Sequence, residues 1–173
     1  MNPFVYVAQP ARIVFGRGTL AQLPDEVHAL GARKALVLST PEQRASADRV
    51  VRLLGERAAG VFDRAVMHVP LETAREARAL ARELRADCAV AIGGGSTIGL
   101  GKAIALDSGL PIIAIPTTYA GSEVTPIYGI TEAGLKKTGR DLRVLPRAVI
   151  YDPDLSLGLP VGMSVTSGIN AIA

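Results

Sequence analysis

Three consecutive glycines followed by two hydroxyl residues, Gly93-Gly94-Gly95-Ser96-Thr97, stand where the apolar run Ala89-Val90-Ala91-Ile92 stops. Residues of these types can hold an anion. A turn from strand into helix points backbone N–H groups at whatever sits above it. Glycine lets a phosphate approach those groups closely, and the helix end adds partial positive charge. A tight turn accounts for one glycine; three in a row before Ser-Thr are better accounted for by a phosphate. A second stretch carries related chemistry. Pro116-Thr117-Thr118-Tyr119-Ala120-Gly121-Ser122-Glu123-Val124-Thr125 follows the next apolar run and brings several hydroxyls and a glycine. Two such loops after adjacent parallel strands share one edge of a sheet, which is where ligands of open α/β sheets bind.

The commoner phosphate motifs do not match. G-x-G-x-x-G fails because Ile98 or Thr97, according to register, stands where the last glycine belongs. The Walker pattern fails because Gly101-Lys102 is followed by Ala103, and Ser96 stands where its first glycine belongs. Lys102 is then expected at the helix surface, or as a charge standing behind the ligand.

The elements that must position these loops alternate strand with helix. Phe4 to Phe15 reads as a bent strand or β-ribbon around Gln9-Pro10. Thr19 is expected to cap a helix through about Leu30, ended by Gly31. Ala35-Leu36-Val37-Leu38 reads as a buried parallel strand. After it, Thr40 caps and Pro41 opens a helix bearing Val50, Val51, Leu53 and Leu54. A strand is expected within Gly60 to Val69, and a helix from Glu72 to about Arg85 with Ala77, Leu80, Ala81 and Leu84 inward. Thr97 to Ser108 reads as a helix with Ile98, Ala103, Ile104 and Leu106 inward, then Pro111 to Ile115 as a strand. A hairpin is expected around Gly134 and a last strand at Ala148 to Tyr151. This alternation predicts an α/β fold: a Rossmann-like parallel sheet with helices on both faces, plus the N-terminal ribbon.

Thr166 or Ser167 can cap a further helix, of which Ile169 to Ala173 supplies little more than a turn. A single turn is not stable alone. The expectation is therefore a dinucleotide-binding domain over residues 1–163 and the start of a truncated helical domain at 164–173.

Composition narrows the function. An apolar fraction of 49% with 20% charged residues suits a soluble globular domain. The formal charge is +3, and scattered arginines without a basic stripe argue against nucleic acid. The lone Cys88 precludes a disulfide within the chain and reads as a small core residue in a reduced, cytoplasmic setting. Met1-Asn2-Pro3-Phe4 shows neither a basic nor an apolar leader region, so no signal peptide is expected. No apolar run approaches the roughly 20 residues of a membrane span.

Taken in order, Gly93-Gly94-Gly95-Ser96, Pro116-Thr117-Thr118, Gly121-Ser122-Glu123 and Asp152-Pro153-Asp154-Leu155 resemble the N-terminal domain of the iron-containing (group III) alcohol dehydrogenase family. That domain shows a GGGS turn before a helix, a Pro-Thr-Thr loop ending in Gly-Ser-Glu, and Asp-Pro-x-Leu after a later strand. Within the family, the maleylacetate reductase branch is the most similar. Gly99 takes the family's acidic position, the threonine loop is short, and Asn170 stands where metal-dependent members carry an aspartate ligand.

The resemblance implies the cofactor half of an NAD(P)H-dependent reductase acting on maleylacetate to give 3-oxoadipate in aromatic catabolism. Its catalytic groups would lie mostly in a missing domain. Gly93, Gly94, Gly95 and Ser96 would hold the pyrophosphate of NADH. Thr117, Thr118 and Ser122 would line the ribose and nicotinamide side, with Val124 against the ring. Lys136 or Lys137 would bond ribose hydroxyls, and Leu155 would touch adenine. Ser39 and Thr40 would face the adenosine 2′ position, where the lack of an aspartate would let NADPH be tolerated. No metal is expected, since His28 and His68 match no family ligand and an amide at Asn170 is a poor one. The partners implied are a small dicarboxylic substrate and a second copy paired through the N-terminal ribbon, with no nucleic acid and no membrane. A metal-dependent alcohol or polyol dehydrogenase of the same family and a non-enzymatic nucleotide-binding module are the alternative readings.

Overall fold

The computed structural model describes residues 12–172. Six parallel strands form the central sheet: β1 (Arg12–Phe15), β2 (Ala35–Leu38), β3 (Ala58–Phe62), β4 (Cys88–Gly93), β5 (Ile112–Pro116) and β8 (Ala148–Tyr151). Their spatial order is β1-β8-β5-β4-β2-β3. A separate antiparallel hairpin pairs β6 (Ile127–Glu132) with β7 (Leu135–Arg140). The helices are α1 (Leu23–Ala29), α2 (Arg44–Leu54), α3 (Leu71–Glu83), α4 (Gly95–Ser108) and α5 (Val161–Ile172).

The inner strands are apolar on both faces, so each buries alternate residues in two different cores. Leu36, Leu38, Ala89, Ala91, Ile112 and Ala114 meet α3 and α4 on one face. Ala35, Val37, Cys88, Val90, Ile92, Ile113 and Ile115 meet α1 and α2 on the other. This two-sided burial is what a parallel sheet between helical layers requires. Alanines in β4 let α4 pack closely: a Cβ on Gly101 would lie 3.6 Å from the Cβ of Ala91. The chain runs outward from β2 to β3, then returns to place β4 on the other side of β2. The crevice between the ends of β2 and β4 is therefore the topological switch point.

The α/β class and parallel sheet are as expected; four local details differ. The described part of the expected ribbon, Arg12 to Phe15, is an edge strand parallel to β8, and residues 1–11 lie outside the described residues. Thr19 does not cap a helix. Its hydroxyl donates to the carbonyls of Gly16 (2.7 Å) and Tyr151 (3.2 Å), a 3-10 turn covers Thr19–Gln22, and α1 starts at Leu23. The third strand ends at Phe62; Val66 is exposed in a loop that closes through left-handed His68 and Val69. Helix α5 begins at Val161, so Thr166 and Ser167 sit inside it rather than at its cap. The expected hairpin is present, turning through Ala133 and Gly134 at φ 49 and 76.

Candidate functional site

The carboxyl ends of β2, β4 and β5 carry the glycine turn and both polar loops. Gly93 ends β4 with φ 152, and a Cβ there would fall 2.5 Å from Gln43 Oε1 and Thr97 Oγ1, so no larger residue fits without displacing them. Gly94 caps α4 without a side-chain hydrogen bond. The N–H groups of Gly95 and Ser96, in the first turn, have no acceptor within the helix. A Cβ on Gly94 would meet Thr118 Cγ2 at 3.0 Å, so the two loops close on each other across a position where only a glycine is comfortable. Gln43, from the turn leading into α2, donates to Thr117 Oγ1 at 2.8 Å. Three loops are thus joined above the switch point.

A cleft of about 740 Å³ opens on one side of this junction. Thr40, Glu42, Gln43, Thr117, Thr118 and Leu155 line it, and α5 closes it through Met163, Thr166 and Ser167. The backbone N–H of Tyr119 donates to Ser167 Oγ at 2.6 Å, tying α5 to the threonine loop. Glu42 is the cleft's charged residue. Its own backbone N–H and then the Thr40 hydroxyl hold its carboxyl below the usual range, so it faces the cleft as an anion.

A second cleft of about 730 Å³ lies on the other side, lined by His68, Gly99, Lys102, Ser122, Thr125, Tyr128 and Lys136 among others. Gly95, Ser96 and Ala120 line both clefts. The first turn of α4 is therefore the ridge between them.

Of the residues expected at the site, Thr40, Gly94, Gly95, Ser96, Thr117, Thr118 and Leu155 meet at the first cleft, and Ser122 and Lys136 at the second. Gly93 lies one step beneath, shaping the turn. Ser39 is fully buried, its N–H donating to Phe62 and its carbonyl accepting from Ala65, so it braces the ledge under Thr40 and does not face the cleft. Val124 is 43% exposed and lines neither cleft. Strand alternation separates the two lysines: Lys137 turns away and pairs with Glu132 at 2.5 Å, while Lys136 lines the second cleft. Asn170 lies in α5.

Glu42 and Gln43 were not legible as site residues, and Lys102 was legible only as one of two alternatives, a charge standing behind the ligand. Glu42 and Gln43 sit in the 3-10 turn Pro41–Gln43, where the pattern suggests an ordinary helix start. Lys102 is completely buried, so of its two expected placements the helix surface is the one that fails. Its ammonium donates to the carbonyls of Ser122 (2.6 Å), Thr125 (2.7 Å) and Ile127 (2.7 Å), with Thr125 Oγ1 at 3.2 Å. Nearby, buried Glu123 accepts from the Tyr151 hydroxyl at 2.8 Å. Among the described residues, no three His, Cys, Asp or Glu side chains gather to hold a metal. No helix among them is long and apolar enough to cross a membrane.

A parallel sheet wound in both directions, with a glycine turn between two clefts at its switch point, defines the class: a Rossmann-like α/β domain whose switch point has the form and free N–H groups to take a phosphate. The iron-containing alcohol dehydrogenase family model matches residues 10–153, and the chain belongs to that family. It is 68% identical to a maleylacetate reductase of Burkholderia cepacia over all 173 residues, covering 100% of this chain and 49% of that protein. The crystal structure of maleylacetate reductase from Agrobacterium tumefaciens superposes with TM-score 0.96 at 56% identity, over 99% of this chain and 49% of that one. Sulfoacetaldehyde reductase from Bifidobacterium kashiwanohense, in complex with NAD+, superposes with TM-score 0.90 at 26% identity, over 98% and 51%. The chain spans about half the length of the curated relatives it matches.

Proposed function

We propose that this chain is the cofactor-holding part of an NADH-dependent maleylacetate reductase. The observation that carries the reading is the glycine-rich first turn of α4, shared by two clefts of similar size. A dinucleotide has two nucleoside halves joined by a pyrophosphate, and this is a surface of matching form. The pyrophosphate lies over Gly94, Gly95 and Ser96, where free N–H groups and the helix end favour negative charge. The adenosine half lies in the first cleft, against Leu155 and beside Thr40 and Glu42. The nicotinamide riboside half lies in the second, with Ser122 along it and Lys136 at the ribose, and Thr118 stands at the junction on the first-cleft side. Lys136 takes this role in preference to Lys137, which is turned away.

When bound, the reduced nicotinamide supplies a hydride from its C4 to the carbon–carbon double bond of maleylacetate, giving 3-oxoadipate. This chain's residues hold and orient the dinucleotide. The substrate pocket and proton donor belong to a helical domain that begins with the segment containing α5 and covers the second cleft. The whole protein works in the cytoplasm and without a metal, and its N-terminal segment pairs with a second copy. Glu42 revises the reading of cofactor choice. Residues 39–41 contain no carboxylate, yet Glu42 brings one to the same ledge. A carboxylate facing the ribose accepts a 2′-hydroxyl and repels a 2′-phosphate, so NADH is favoured and NADPH is used less well.

The test is steady-state turnover of the full-length protein with maleylacetate and NADH, before and after chelation. Turnover of roughly 1 per second or more, unchanged by chelator, is expected, with little or none from the 173-residue chain alone. Oxidation of alcohols or polyols that depends on added iron or zinc would contradict this reading and favour the metal-dependent alternative.

A further inference from the structure

A group of charges away from both clefts has no part in holding a dinucleotide. Helix α3 carries Leu71, Arg75, Arg78 and Arg82 at intervals of four, three and four residues. That spacing sets them on one flank of the helix, beside the apolar stripe that packs on the sheet. Like charges three or four residues apart weaken a helix, so this flank is held against a cost. Among the described residues, Arg78 alone of these arginines forms an ion pair, with Asp107 of α4. Glu132, which also feels Arg75, is already bonded to Lys137.

Arg78 is the unusual member. It is only 8% exposed. Its Nε donates to the Ala74 carbonyl at 3.1 Å, and one terminal nitrogen meets Asp107. A guanidinium has five N–H donors, so these two contacts leave more than half of them unused among the described residues. Burial first, and then the charges of Arg82 and Arg75, work against the Arg78 cation. A guanidinium cannot respond by losing its proton; what relieves it is an anion. Asp107 brings one negative charge on a half-exposed side chain, against three positive ones.

These groups surround a hollow. Leu71, Arg75, Arg78, Arg82 and Asp107 line about 290 Å³ where α3 meets α4, and an adjoining hollow of about 420 Å³ shares Arg78, Arg82 and Asp107 and adds Arg85. None of these residues lines either cleft of the candidate site. Asp107 stands at the far end of α4 from Gly95, about 18 Å along the helix. We propose that this hollow is a second binding site, for a compact oxyanion of the phosphate class held by the guanidinium groups of Arg75, Arg78 and Arg82. The planar donor fork of arginine matches phosphate oxygens in pairs. Three such groups around one small hollow suit an anion whose charge is gathered at a single centre. A dicarboxylate divides its charge between two ends and fits this arrangement less well.

The experiment is calorimetric titration of the full-length protein with inorganic phosphate at neutral pH, the ionic strength held constant with chloride. Wild type is compared with a variant carrying R75Q and R82Q, two exposed positions whose exchange leaves the core intact. Each is titrated with and without saturating NADH, because the glycine turn at Gly94 to Ser96 is another place where phosphate can settle. Wild type is expected to take up phosphate with a Kd of about 1 mM or below, unchanged by NADH. The variant loses at least tenfold in phosphate affinity and keeps its NADH affinity within about twofold. Phosphate that NADH displaces, or that binds the variant as well as wild type, belongs elsewhere and overturns the proposal. So does a wild-type Kd above about 10 mM.

Competition fixes the class of ligand. Sulfate is expected to compete with phosphate, and succinate at equal ionic strength is not. Succinate binding tighter than phosphate, and lost in the same variant, overturns the assignment to a single-centred oxyanion. Glycerol phosphate separates the two sources of such a group: binding equal to that of inorganic phosphate assigns an ester, and weaker binding assigns the free ion. Should the double variant fail to fold, R82Q alone is used; a loss of at least threefold supports the site, and no loss overturns it. If NADH does not bind at all, the cofactor reading fails, while the comparison of wild type with variant still decides this proposal.

Discussion

Glu42 is a single carboxylate at the mouth of the first cleft, and under the proposed function its charge bears on which nicotinamide cofactor is used. Its own N–H and then the Thr40 hydroxyl hold its carboxyl below the usual range, so at neutral pH it opposes a 2′-phosphate. Replacing it by glutamine removes the repulsion and keeps the size. E42Q is expected to tighten NADPH binding roughly tenfold relative to NADH, as read by parallel fluorescence titrations. An unchanged ratio would show that the 2′ position lies elsewhere. The glycine turn and the paired threonines were legible in the sequence because their chemistry is local: residue type and strand-end position suffice. Glu42 was hidden because its role depends on a 3-10 turn that re-aims it. The placement of Lys102 stayed open between surface and interior for a different reason. Helix α4 is buried on nearly every side, so apolar spacing defines no outer face that could decide it.

Among the elements, the turn after β8 shows why Asp152 follows a buried strand. Asp152 is itself buried, and its carboxylate accepts from the N–H groups of Gly18 (3.0 Å), Leu20 (3.2 Å) and Asp154 (3.2 Å). It caps the short turn Pro153–Leu155 and also fastens the chain leading into α1. Removing it leaves the buried N–H of Leu20 without a partner, at about 1–3 kcal/mol, and takes an acceptor from the partly buried N–H groups of Gly18 and Asp154. Asp152→Ala is expected to lower stability by about 3 kcal/mol in urea unfolding, and Asp152→Asn by less; a loss below about 1 kcal/mol would contradict this account. Since this turn presents Leu155 to the first cleft, AMP binding weakens with it. Most elements were legible from apolar runs bounded by Gly and Pro. The exceptions have physical causes. Strand β3 starts in Ala58-Ala59-Gly60, small residues with little β character, and ends with Val61-Phe62, while Val66 and Val69 further on belong to a loop. Helix α5 starts after Pro160, and its Thr166 hydroxyl bonds back to Gly162 at 3.0 Å instead of capping.

At the scale of the whole molecule, the sheet was readable because strands buried on both faces are continuous apolar runs, and helices alternating with them leave few topologies. What the sequence alone could not supply was the division of the site into two clefts, because that depends on how three loops and α5 meet in space. Their meeting point gives the central claim: one dinucleotide bridges both clefts across the first turn of α4. The direct measurement is equilibrium titration of this chain with NADH, AMP and ATP under identical conditions. The account predicts saturable NADH binding, tighter than either mononucleotide, because only the dinucleotide engages both clefts. ATP binding as tight as NADH, or no saturable NADH binding, would contradict it.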